Sequence, residues 1–243
     1  HGEDHRVVGE HVQPRVRLGV DRQPAEPRLA EVRQRAAYDG PAGQRERLPR
    51  PVERLAGDDD HLLVVRAEDA HRYTDRPLYV KALSFVAGNG SGLTDPGYDY
   101  TTFPEIEASA RDAYAQAGVT DPRAELAMAE VHDCFTPTEL VLMEDLGFVE
   151  RGTAWKHVLD GTFDLDGELP VNPDGGLKSF GHPVGASGLR MMFEAWLQLR
   201  GEAPEERRIS TYGQRHLALT HNLGGYPGEM VSFVSILGTE PSA

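Results

Sequence analysis

The vocabulary of this 243-residue chain changes abruptly near residue 61, and that break limits where a folded core can form. Residues 1–60 use only eleven residue types; Ser, Thr, Asn, Lys, Ile, Phe, Met, Trp and Cys are absent. The stretch carries eleven Arg and twelve Asp plus Glu with scattered Pro and Gly, and shows neither a helical period nor sustained alternation. Such a segment buries too little apolar surface to offset the entropy of ordering it. Residues 1–61 therefore read as a low-complexity, Arg-rich segment that is either disordered or translated out of frame from GC-rich codons. The run Asp58–His61 imitates a metal site but reads as a solvated charge run. Residues 62–243 are left to form the folded domain.

The formal charge of the chain is −14 at pH 7, which repels a polyanion and excludes nucleic acid as an expected partner. No run of eighteen apolar residues and no basic-then-apolar leader occurs, so no membrane span is expected and a cytoplasmic location is. The sole cysteine, Cys134, excludes an internal disulfide and a Cys-rich zinc site.

Patterns from residue 62 onward alternate between strand and helix. HLLVVRAEDA and PLYVKALSFVAG read as strands, and GNGSG, residues 88–92, as a turn with no helix opening behind it, hence no dinucleotide fingerprint. Pro104 to Ala117 predicts a helix stopped by Gly118. ELAMAEVHD reads as a buried strand. In TPTE, Thr136 is placed to cap, Pro137 to open the helix, and Glu139 to return a bond to the cap. A helix is expected over Thr153 to Leu159, then an acidic turn region. Residues 172–188, NPDGGLKSFGHPVGASG, hold five Gly and two Pro and must form a shaped loop. The next helix, GLRMMFEAWLQLRGE, is apolar around nearly its whole circumference, as expected of a helix buried between layers. HLALTHN and MVSFVSILG close the chain as two strands joined by a glycine turn. The order implies an α/β layered domain with a mixed sheet and a buried helix.

Cys134 falls between a strand's end and a helix's start, where backbone N–H groups and the helix dipole lower a thiol's pKa. Three loops of this kind carry chemistry: VHDCF, GGLKSFGHPVGASG and THNLGG. His182, held between Gly181 and Pro183, is a candidate to activate a thiol and to donate to a developing oxyanion. His132 is a second donor, Cys134 a proton shuttle, and His221 a further candidate. Only His132 and Cys134 have usual metal-ligand spacing, so no metal is expected.

In order and spacing these three loops resemble the C-terminal half of thiolases. Within that family they are most similar to the sterol-carrier-protein type and the actinobacterial lipid-transfer proteins, whose His-Asp-Cys-Phe stands here as His132, Asp133, Cys134 and Phe135. The family's Gly-His-Pro matches Gly181, His182 and Pro183. Its late Cys-x-Gly loop falls near His221 to Gly225, here without cysteine, as in that branch. The resemblance implies one half of an α-β-α-β-α sandwich and acyl-CoA-dependent carbon–carbon condensation or thiolytic cleavage in lipid or sterol side-chain metabolism. Coenzyme A or acyl-CoA would be the substrate, with no permanently bound cofactor. Gly181, Gly224, Gly225, Lys178 and Ser187 are expected at that ligand, with Lys178, Arg190 and Arg151 as candidates for its phosphates. A homodimer is implied, and a small OB-fold partner in some members. The cysteine that such enzymes acylate belongs to a first half that this sequence does not contain. The expectation is therefore a truncated chain lacking that half, or alternatively a non-catalytic thiolase-like acyl-CoA-binding or partner subunit.

Overall fold

The computed structural model describes residues 62–241; the expectations for residues 1–61, the Asp58–His61 run included, lie outside the described residues. Four strands form one sheet: β1 (Tyr79–Ala87), β2 (Leu126–Glu130), β3 (Leu217–Gly224) and β4 (Val231–Gly238), in the spatial order β1-β4-β3-β2. β4 runs antiparallel to both β1 and β3, and β2 lies parallel to β3, so the sheet is mixed as expected.

Helices pack on both faces. α1 (Pro104–Ala117) opens with proline and ends where Gly118 turns left-handed at φ 72°, the stop that its sequence requires. Ile106, Ala110 and Ala113 of α1 bury against Ala82, Leu219, Val234 and Ile236, and α2 (Thr136–Asp145) joins this cluster through Leu142 and Met143. α3 (Ala154–Leu159) and the five-residue α4 (Gly176–Phe180) follow. α5 (Ser187–Arg200) lies on the opposite face, where Ala195 and Leu199 meet Ala127, Met128, Ala218 and Leu237.

Three expectations change. A helix does open at the GNGSG turn, but it is the single turn Ser91–Thr94 with Gly90 as its left-handed N-cap. HLLVVRAEDA does not form a strand: Leu62, Leu63 and Val64 are exposed, and Ala67–Arg72 closes a 3-10 turn. The buried carboxylate of Asp69 accepts from Arg66 Nε at 3.0 Å and pairs with Arg72 at 3.0 Å, local contacts that a strand would break. α5 is buried on one face only; Leu189 and Phe193 remain exposed because the sheet covers a single side of it. Leu83 and Phe85 of the edge strand β1 are exposed as well.

The GNGSG turn has a structural role. Gly88 N–H donates to Met230 O and Gly90 N–H to Gly228 O, both at 2.8 Å, and a Cβ on Gly92 would stand 1.8 Å from Pro227 O. Two glycine-rich segments thus pack backbone to backbone and brace the β3–β4 turn. Leu219 sits fully buried in the inner strand β3. Leu219→Ala is expected to cost about 2–5 kcal/mol, read as a lower urea midpoint at unchanged m-value.

Candidate active site

β2 is buried along its whole length, and the chain leaves it as Val131-His132-Asp133-Cys134 before α2 begins. Side chains satisfy the backbone donors of this exit and of the facing loop. Asn172 Oδ1 accepts from Val131 N–H at 2.8 Å while its Nδ2 donates to Glu139 Oε1 at 3.1 Å. Asp133 Oδ1 accepts from Leu177 N–H at 2.7 Å and its Oδ2 from Lys178 N–H at 3.3 Å, serving the first turn of α4. A Cβ on Gly176 would stand 2.6 Å from Asp133 Oδ2, so only glycine permits this approach. Glu139 is thereby diverted from the capping bond expected of it. Thr136 makes no cap either, since the N-cap position falls on Phe135.

These bonds bring the first two loops together. The rings of His132 and His182 meet edge to face, centroids 4.7 Å apart and planes at 87°. His132 is buried, and burial first, then the nearby His182, hold it neutral by lowering its pKa to about 4; Asn222 and Asp133 offset part of this. His182 is exposed, with Nδ1 2.8 Å from Ser187 Oγ, and Ser187 Oγ in turn donates to Pro183 O at 3.2 Å. Ser187 has one hydroxyl proton. The arrangement that satisfies both contacts spends it on Pro183, puts a proton on His182 Nδ1, and leaves His182 Nε2 with a free lone pair. Cys134 is half-buried two residues beyond His132, and its carbonyl accepts from Lys178 Nζ at 3.2 Å.

The third segment begins inside the strand read from HLALTHN and not in a loop facing the other two. His221 stands within β3, fully buried, with Nε2 3.2 Å from Ser232 Oγ, which meets Ser109 Oγ at 2.7 Å. Burial and then the neighbouring His132 lower its pKa to about 3, so it is a neutral ring in the wall behind His132. Gly224 ends β3 opposite Val231, and Gly225 adopts φ 105° to open the turn. Gly181 also has positive φ, 79°, directly before His182.

Two of the cations expected at a phosphate are consumed internally. Arg151 pairs with Asp145 and Glu107, each at 2.6 Å. Arg190 pairs with Glu130 at 3.3 Å and with Asp174. Lys178 donates to a neutral carbonyl and keeps its place near Cys134. Sequence reasoning missed the Glu130–Arg190–Asp174 cluster, because neither periodicity nor spacing links residues so far apart. Asn172 left a signal: an Asn before Pro, and here at φ 49°, is a residue that shapes a turn. Among the described residues no helix is long and apolar enough to cross a membrane, and no group of three or more His, Cys, Asp or Glu could hold a metal ion.

A mixed sheet between helical layers, with two imidazoles converging at a strand's end, defines an α/β protein with a preorganised polar centre. The family described as Thiolase C-terminal domain-like matches residues 96–239, more than half of the chain, and the chain belongs to the thiolase family through that domain. An acetyl-CoA acetyltransferase of Methanothermobacter thermautotrophicus is 39% identical over 167 residues, 69% of this chain and 42% of the relative. Sterol carrier protein 2 of Homo sapiens is 38% identical over 122 residues, 50% of this chain and 21% of the relative. Among solved structures, the Ltp2-ChsH2(DUF35) aldolase matches with a TM-score of 0.59 at 25% identity, over 73% of this chain and 43% of that one. The chain thus spans 42% of the length of the acetyltransferase it matches.

Burial pushes the Glu130 carboxyl up to about 8; Arg190 and Arg207 pull it down, while Glu194 and Asp133 push it further up. A carboxyl whose pKa rises on folding stabilises the native state fully below its unfolded pKa, and that stability is lost as pH climbs through the folded value. The buried histidines are neutral in the folded state throughout this range, and their unfolded-state titration near pH 6.5 is common to wild type and Glu130→Gln. Relative to Glu130→Gln, wild-type stability is therefore expected to fall by up to about 1.4 kcal/mol per pH unit between pH 6.5 and about pH 8. Urea unfolding at half-unit pH steps measures this, and equal slopes in both proteins would overturn it. On the acid side, the depressed values of His132 and His221 make stability fall as pH drops from 6.5 toward 4.

Proposed function

We propose that residues 62–243 act as the second half of a thiolase-type acyl-CoA enzyme, in which His182, His132 and Cys134 manage a proton and a developing oxyanion beside a nucleophilic cysteine supplied by a first half. The observation that carries this reading is the edge-to-face imidazole pair, one ring on a strand exit and the other on a loop, 4.7 Å apart at their centroids. The uncovered apolar side of α5 and the exposed Leu83 and Phe85 support a further protein layer over this face.

The two imidazoles take different parts. With Nδ1–H directed at Ser187, His182 presents Nε2 as a base and takes a proton from the thiol to be acylated. Protonated, it becomes a donor. His132, held neutral by burial, supplies an N–H to the thioester oxygen as negative charge forms there. Of the two tasks that the sequence assigns to His182, the Ser187 contact favours the first and leaves the oxyanion to His132. In the condensing direction Cys134 removes the α-proton of an acyl-CoA, and the enolate carbon attacks the enzyme-bound acyl group. Acylation of the nucleophilic thiol expels CoA, whose thiolate takes the proton that His182 had accepted; when the later attack breaks the carbon–sulfur bond to the enzyme, the departing enzyme thiolate is reprotonated through His182 by the proton that Cys134 removed. Lys178 is the cation best placed for an anionic ligand beside Cys134. A homodimer, a small OB-fold partner and a cytoplasmic setting belong to this proposal as inherited expectations.

A second reading has its own support: a solved structure to which this chain is similar is that of an aldolase. Retro-aldol cleavage of a side-chain acyl-CoA needs a base and a stabilised enolate but no acylated cysteine. Combined with a thiolase first half, His132→Ala is expected to lower the rate about 100- to 1,000-fold. His182→Ala or Cys134→Ser is expected to lower it by about 100-fold or more. Acyl-CoA turnover with and without free CoA separates thiolysis from retro-aldol cleavage. Full activity of Cys134→Ser would sink the shuttle role. CoA binding without turnover in the wild type would leave a non-catalytic binding subunit.

A further inference from the structure

Between Asn172 and Ala186 the chain has one five-residue helix to order it, yet it must deliver His182 to a fixed place beside His132. Asn172 and Asp133 secure the start of this loop, and Ser187 secures the ring of His182. Lys178 reaches across to Cys134 O, and one further residue grips the segment that leads into His182. Arg190, a turn into α5, pairs with Glu130 at the end of β2 and with Asp174 near the loop's start, and its guanidinium lies 5.2 Å over the ring of Phe180, two residues before His182. Glu130 and Asp174 are buried, and Arg190 is nearly so.

We infer that Arg190 is a positioning residue, pinning the His182 loop at Asp174 and at Phe180 to the strand from which His132 emerges and so setting the contact between the two rings. The inference deepens the function proposed above, on which its catalytic consequence rests. Arginine suits the task because a planar fork spans two carboxylates while its face covers an aromatic ring, which an ammonium group does not. Stability alone is a poor account of the cluster. Both Glu130 oxygens and all three Arg190 guanidinium nitrogens are buried without an aligned hydrogen bond, and burial keeps Glu130 largely protonated at neutral pH, so the full ion pair of the cluster is Arg190 with Asp174 and the desolvation cost stands against it. Buried ion groups of this kind are often replaced by apolar residues with no loss of stability. What such a replacement removes is the simultaneous grip on three segments.

The test follows the rings themselves, in the full chain with isotope-labelled histidine. In the wild type, an inter-ring nuclear Overhauser effect between His132 and His182 is expected, with nitrogen shifts placing the neutral His182 proton on Nδ1. Arg190→Met, which keeps length and apolar contact, is expected to lose that effect and broaden the His182 signals. It is also expected to move the His132 titration midpoint up from about 4 as the second ring departs. Arg190→Lys is expected to restore part of the effect, and Asp174→Asn, which frees the loop end alone, to weaken it. Retention of the inter-ring effect in folded Arg190→Met overturns the inference; should that variant fail to fold, retention in Asp174→Asn overturns it equally. Acyl-CoA titrations on the same samples keep the two ideas apart. A wild type with the ring contact but no acyl-CoA binding sinks the functional proposal and leaves the pin standing.

Discussion

Asp133 accepts two backbone N–H groups from the first turn of α4, and the rest of the centre depends on that carboxylate. It stands between His132 and Cys134 in the chain, so the residue that orders the opposite loop is bonded into the strand exit carrying the polar side chains. Buried N–H groups at a short helix start must find acceptors, and here the acceptor comes from across the site. Asn172 answers in the other direction by accepting from Val131 N–H. The two loops therefore cannot move apart without breaking these bonds and leaving the donors unpaired, and Gly176 supplies the close approach that makes the exchange possible.

Burial then sets the electrostatic character of the centre. His132 and His221 are kept neutral because charging either would place a cation in a desolvated wall; His182 makes His132 harder still to protonate, and His132 does the same to His221. The same wall raises Glu130, so part of the local acidity is carried as protons and not as charge. In a chain with fourteen more negative than positive charges, Arg151 pairs from the surface with the buried Asp145, and Arg190 is drawn inward between Glu130 and Asp174. An anionic ligand at this surface must therefore rely on Lys178, on loop N–H groups or on protein from beyond the described residues.

Local signals gave accurate boundaries where the deciding physics is local. Pro104 and Gly118 mark α1 because proline suits a first turn and glycine takes the left-handed stop without strain. The last two strands and their glycine turn followed from alternation and turn residues alone. The failures share a cause. The apolar run after His61 has a strand's composition but pairs with no strand among the described residues, and Asp69 closes the segment behind it into a turn. Apolar residues around all of α5 describe what that helix can bury, whereas the described residues provide cover on one side only.

By itself the sequence determined the α/β order, the placing of Cys134 between strand and helix, and three motifs at element ends, because propensity, capping and glycine geometry act over a few residues. Tertiary structure decided which of those motifs meet. It set His182 against His132, placed His221 in the wall behind them, and turned Arg190 from a phosphate candidate into a tie between strand and loop. The physical reason is that burial, the pairing of distant charges and the satisfaction of backbone donors depend on neighbours some tens of residues away, which no local pattern records.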